Sequence, residues 1–198
     1  MNNSTTIISK MAEANSVVNA NGVFPLDAER GIAGVRTQMY IAKKVTGFGT
    51  GKHNLLDGKL DPKVGVTTFE KSKLPSNKTY LVLGVKVLQS TDVASDVQVS
   101  NFNSVSSPEI KNGDISIKQD GQIVKLNIGE CTPEADADGK TGKQYFECTP
   151  FRLQGSSDVE IETEFTGNTT DGHSIKVVLD VIEETVNAKV RASVMNNC

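Results

Sequence analysis

The chain has no tryptophan, and aromatic residues make up only 5% of it. Its apolar share is 37%, with Val and Ile frequent, which suits thin β-sheet layers better than a large α/β core. It has no apolar run of about 18 residues, so no membrane-spanning helix is expected. Its first twenty residues are mostly polar, with Ile7-Ile8 and Val17-Val18 as their aliphatic pairs, and they lack the order of a secretory leader. Basic charge is also short. Lys and Arg number 21 against 24 Asp and Glu, a formal net charge of −3. Neutralising nucleic-acid phosphate needs clustered Lys and Arg, so direct nucleic-acid binding is not expected.

Two histidines and three cysteines leave little for site chemistry. Cys131, Cys148 and Cys198 lack the close spacing of a zinc site, and an odd count is not a disulfide framework. Free thiols in a reducing compartment are the expectation. A nucleophilic triad needs His beside Ser or Cys, but His53 lies in a glycine-rich loop and His173 at a strand start. The segment Gly47–Lys52 suggests a phosphate loop. However, Thr46 stands where the first glycine belongs, and His53 where Ser or Thr follows the lysine. Glu134, Asp136, Asp138 and Gly139 resemble the start of a calcium loop, but its twelfth position is Tyr145 and not a bidentate Glu. An acidic exposed loop is expected there. No catalytic, cofactor-binding or metal-binding residue is assigned, and neither enzyme activity nor a cofactor is expected.

The clearest local structure is Asp114–Ile128. Asp120-Gly121 can supply the two positive-φ residues of a type I′ turn. Gln119 then faces Gln122, Ile117 faces Val124, and Ile115 faces Leu126. Both apolar pairs fall on one face, with Ser116, Lys118, Ile123 and Lys125 marking the other. Turn chemistry and alternation agree on one register. A lone hairpin is marginal, so its apolar face needs more strands or a second sheet.

The rest of the chain supplies them. Strands are expected at Val35–Val45, Val64–Phe69, Thr79–Ser90, Asp96–Phe102, Gln144–Cys148 and Phe151–Leu153. Thr79–Ser90 is nearly continuous in apolar residues and should be central. In Asp158–Phe165, Val159, Ile161 and Phe165 point one way and Glu160, Glu162 and Glu164 the other. His173–Glu183 alternates again, with Lys176 expected near those glutamates. Thr185–Val194 reads as a last strand, though its Ala, Lys and Arg would also allow a helix. Thr46–Pro62 reads as a long loop. Glu130-Cys131-Thr132-Pro133 recurs as Glu147-Cys148-Thr149-Pro150. Pairing of Ile128–Cys131 with Tyr145–Cys148 would bring the two thiols together.

The expected fold is therefore all-β, an antiparallel β-sandwich of the jelly-roll kind with an N-terminal arm or short helix. Residues 1–30 form the arm and connector, and residues 31–198 the sandwich. In the arm, Ser4 can cap a helix whose stripe carries Ile7, Met11, Ala14 and Val18, with Ile8 at its edge. Ile7, Ile8, Met11 and Val18 are the candidate assembly residues.

Leu74-Pro75-Ser76-Asn77-Lys78-Thr79-Tyr80, running into an apolar strand, resembles segments of jelly-roll capsid and virion proteins of bacteriophages. Phe151-Arg152-Leu153, leading to the Glu-alternating strand and its partner His173–Glu183, is similar to them as well. The resemblance spans residues 74–184. It implies a structural subunit of a viral capsid or virion, self-associating as a homo-oligomer and touching other virion proteins, located in the virion after assembly in the host cytoplasm. The alternative is a carbohydrate- or receptor-binding β-sandwich module of a tail fibre or accessory domain. A cupin-like enzyme would need a cluster of His and Glu ligands, and a fimbrial subunit a secretion signal.

Overall fold

A computed structural model describes residues 32–186 apart from 59, 61, 94–95 and 135–144, and only the backbone of 32–35 and 185–186. The expected arm, with Ile7, Ile8, Met11 and Val18, lies outside the described residues. So do the chain beyond Val186 and the centre of the acidic loop.

Among the described residues, eight strands form two four-stranded antiparallel sheets. They are β1 (Ile32–Lys44), β2 (Gly51–Asn54), β3 (Lys78–Ser90), β4 (Asp114–Gln119), β5 (Gln122–Asn127), β6 (Phe146–Leu153), β7 (Glu160–Phe165) and β8 (Ser174–Val186). The first sheet runs β1-β8-β3-β6 and the second β2-β7-β4-β5. Four pairings nest inside one another: β1 with β8, β2 with β7, β3 with β6 and β4 with β5. The chain is thus one long hairpin with its tip at the β4–β5 turn. Two further pairings, β3 with β8 and β4 with β7, wind that hairpin into two layers.

The tip has the register expected from sequence. Gln119 pairs with Gln122, Ile117 with Val124 and Ile115 with Leu126. Asp120 and Gly121 take φ of 49° and 81°, the two left-handed residues that let a two-residue turn follow the strands' twist. Ile115 and Ile117 are buried, whereas Ile123 on the other face is 62% exposed.

The core lies between the sheets. From the first come Met39 and Ile41 of β1, Tyr80, Val82, Val85 and Val87 of β3, and Ile175, Val177, Leu179 and Val181 of β8. From the second come Ile115, Ile117, Ile161 and Phe165. Each fully buried aliphatic side chain contributes about 1.5–3 kcal/mol, so the alternation in β4, β7 and β8 is enough to set which face turns inward. β3 is central, as its apolar run predicts, and its register shifts between Val82 and Gly84. Gly84 suits the close approach there, because a Cβ would stand 3.0 Å from the Phe146 carbonyl and from the Tyr145 Cβ, and those neighbours would have to give way. A second buried cluster, Leu81, Leu83 and Ile182, sits on the other face of the first sheet.

Several local expectations give way. Gly51–Asn54, read as loop, is the edge strand β2. Val64–Phe69 is no strand; it meets β1 only through the Ile41–Thr67 bridge and bonds such as Ala42 N to Val66 O. Asp96–Phe102 holds a 3-10 turn at Val97–Val99, because the Asp96 carboxylate accepts from Gln98 N and caps it. The two short candidates around Pro150 are one strand, β6, at a sheet edge where a proline is tolerated. Ile128–Cys131 is a short helical turn capped by Asn127, so the two Glu-Cys-Thr-Pro segments do not pair as strands.

Candidate functional site

The outward face of the first sheet carries its chemistry. Register puts residues of all four strands in rows: Arg36, Ile182, Leu81 and Arg152, then Gln38, Asp180, Gly84 and Glu147. The next row brings Tyr40, Val178 and Lys86 together. Each of these residues alternates with a core-facing neighbour, so the face follows from the same period of two that builds the core.

Arg36 binds Asp180 with two parallel bonds, Nε to Oδ1 at 3.0 Å and Nη2 to Oδ2 at 2.6 Å. The bond to Asp180 raises the Arg36 pKa, and the fork geometry holds the guanidinium flat on the sheet. Tyr145 lies across the same rows. Its hydroxyl accepts from the Gln38 amide, and the Lys86 ammonium stands 4.6 Å from its ring centre. Burial pushes the Tyr145 phenol upward in pKa. Lys176 sits 4.4 Å from the Tyr40 ring centre and 5.6 Å from that of Phe102, and donates to the Gly65 carbonyl. Burial lowers its pKa, and the Lys86 charge adds to this. Three half-buried rings, an amide and fixed charges thus share one surface. Such a surface can stack on and hydrogen-bond a ligand or a neighbouring protein.

At the end of β3, buried Gln89 ties the loop at Ser106 and Ser107 to the start of β8. Its Oε1 accepts from the backbone N–H of Ser106 and Ser107, and its Nε2 reaches Ser107 Oγ and His173 Nδ1. His173 is thus engaged by an amide and serves the fold. His53 lies in the other sheet, stacked on Phe48 with ring centres 4.2 Å apart, its Nε2 3.0 Å from the Gly49 carbonyl. The Gly47–Lys52 segment turns at Gly47 and runs into β2.

Cys131 and Cys148 are not joined by a disulfide, and both pack on the same core. Burial pushes Cys131 up to about 12, with Cys148 and Glu130 adding to it. Lys176 does not meet the β7 glutamates, which face outward on the second sheet. Lys118 meets Glu160 and Glu162, and Lys125 meets Asp114 and Glu164. Lys43 donates to the carbonyls of Asn54, Leu55 and Asp57. Among the described residues no group of His, Cys, Asp and Glu could hold a metal ion, and no helix is long and apolar enough to cross a membrane.

Sequence reading missed Tyr145, Phe102 and the Arg36–Asp180 pair. The available signal was the charge at Lys176, Asp180 and Glu184, even-numbered positions that share one face of β8 with Val178 and Ile182.

These features define an antiparallel β-sandwich with a polar, aromatic outer face on one sheet. Comparison with family models, with curated proteins and with solved structures finds no match.

Proposed function

We propose that the chain is a jelly-roll structural subunit of a viral capsid or virion, of the phage type its sequence resembles. The observation that carries this reading is the nested pairing of β1–β8, β2–β7, β3–β6 and β4–β5, wound into two sheets. Jelly rolls are built as such a wound hairpin and recur in viral shells, but also in lectins and cupins. Fold alone therefore does not choose among them. The choice of shell subunit rests on the sequence resemblance and on the rigid two-layer body. Its role is non-enzymatic. It associates with copies of itself and with other virion proteins, and the segment holding Ile7, Ile8, Met11 and Val18 ties neighbours together.

The second reading, a carbohydrate- or receptor-binding module, is favoured by one observation. Tyr40, Phe102 and Tyr145 are half-buried rings on one sheet face beside Gln38, and rings so placed can stack on sugars.

Light scattering on the purified native protein, with negative-stain imaging of the same fraction, tests the first reading. Shells, rings or fixed oligomers are expected. A monomer at every concentration overturns it and sends the protein to a glycan array, where Tyr145→Ala should weaken any binding. Removal of residues 1–22 should leave a folded body that assembles poorly.

A further inference from the structure

The two sheets have four edges, and three of them are blocked. β2 is only four residues long. β6 carries Pro150. The outer side of β1 is met by the loop at residues 66–68, through Ala42 N to Val66 O at 2.7 Å and Thr68 N to Tyr40 O at 3.0 Å. Short strands, prolines and covering loops are the usual protections of an edge.

Among the described residues, β5 has none of these. It runs six residues without proline and pairs with β4 without a register shift. Among the described residues its far side carries no strand. An edge lysine is another common guard, and β5 has Lys125. That charge is drawn back over the sheet, however. Its Nζ lies 2.9 Å from Asp114 of β4 and 3.8 Å from Glu164 of β7. The edge is thus electrically balanced, and beside Lys125 it presents Ile123, 62% exposed. On the inner face Val124 and Leu126 are only partly buried where they pack on the core, so among the described residues the sandwich is open on this side.

We propose that β5 is the edge through which two copies of this chain join, antiparallel, into one continuous eight-stranded sheet. The proposal rests on reading the chain as a self-assembling subunit and names the surface it uses. Geometry selects the register. A two-residue turn closes on a hydrogen-bonded pair, here Gln119 with Gln122. Bonding then alternates, so Gln122, Val124 and Leu126 bond to β4 and Ile123, Lys125 and Asn127 turn their N–H and C=O groups outward. Ile128 N to Gly113 O at 2.9 Å continues that alternation. A two-fold axis at Val124 sets Ile123 opposite Lys125 of the second copy and Val124 opposite itself. This arrangement uses outward groups only and covers the open inner face. Sliding one pair toward Asn127 would set Lys125 against Lys125, which like charge disfavours. Sliding the other way would place the turn residue Gly121 in the ladder.

Two variants test this. Ile123→Lys adds an unbalanced charge at an exposed position and should leave the melting temperature within a few degrees, while weakening self-association at least tenfold by analytical ultracentrifugation. Val124→Cys should form a disulfide-linked dimer with oxidised glutathione. Two thiols lose two protons and two electrons, and the glutathione disulfide is reduced to two thiols. The pair across the axis does not exchange hydrogen bonds, so its Cα atoms stand about 4.5 Å apart, within disulfide reach. Leu126→Cys, which meets Gln122 in this register, should not cross-link. The unsubstituted chain, with its own three cysteines, is the control. An oligomer that is unchanged by Ile123→Lys and gives no cross-link at Val124→Cys above the control overturns the β5 edge and leaves the subunit reading standing. A monomer at every concentration overturns both.

Discussion

Arg152 of β6 and Glu184 of β8 form an ion pair across the outer face of the first sheet, 2.9 Å from Nη2 to Oε1, with side chains only 10% and 7% exposed. Burial works against both charges. It lowers the arginine's pKa and raises the glutamate's, and only their mutual attraction opposes it. Such a pair is costly to break and cheap to replace. Arg152→Ala should therefore destabilise by about 3–5 kcal/mol, because it strands a buried carboxylate. The double variant Arg152→Met with Glu184→Leu should recover most of that loss. Urea unfolding of the three proteins measures both numbers.

The same carboxyl makes stability depend on pH. Its folded pKa is raised by burial, so the folded state binds the proton more tightly than the unfolded one. Its contribution is then fully present below the unfolded value, about 4.3, and is lost as pH rises through the raised folded value. Glu184→Gln should remove this part of the slope. The difference in melting temperature between the two proteins, scanned from acid to neutral pH, should be smallest at the acid end and favour Glu184→Gln increasingly toward neutral.

Gly121 holds φ of 81° with open space where a Cβ would stand. Only backbone strain opposes a side chain there. Gly121→Val should cost about 1–3 kcal/mol, with the strand content measured by circular dichroism unchanged.

Gln89 is 2% exposed and its Oε1 satisfies two backbone N–H groups, at 2.9 and 3.0 Å. Gln89→Leu keeps the size and removes the acceptor. A loss of about 1–3 kcal/mol is expected, and Gln89→Glu should lose less, because it keeps an acceptor for both amides.

Cys131, buried with its thiol pushed up to about 12, should resist iodoacetamide at pH 8, because the thiolate is the reacting form. Half-buried Cys148 should react first, and Cys131 only as the protein unfolds. Peptide mass spectrometry over a urea series reads the order.

How far the sequence carries can be traced along particular residues. The Asp120-Gly121 hairpin, the inward set of β7 and the central place of β3 were all legible, because a turn type and a period of two act over neighbouring residues. β2 was not. Gly51-Lys52-His53-Asn54 has no strand pattern and is a strand only because β7 lies beside it. Val64–Phe69 failed for the opposite reason: Phe69 found a core place without a full ladder, while Val64 stayed 85% exposed. Asp96 drew its segment into a turn by a side-chain bond that competes with the sheet.

By itself the sequence determined that this chain is all-β, that it has two faces per strand, and where its tip turns. Those properties depend on alternation and on backbone preference, which are local. Tertiary structure decided which strand lies beside which. It brought Arg36 to Asp180, Arg152 to Glu184 and Tyr145 across Gln38, and it left β5 at an edge with its one charge balanced. Register between strands far apart in the chain is chosen by the fit of the whole core, and no short stretch of residues contains it.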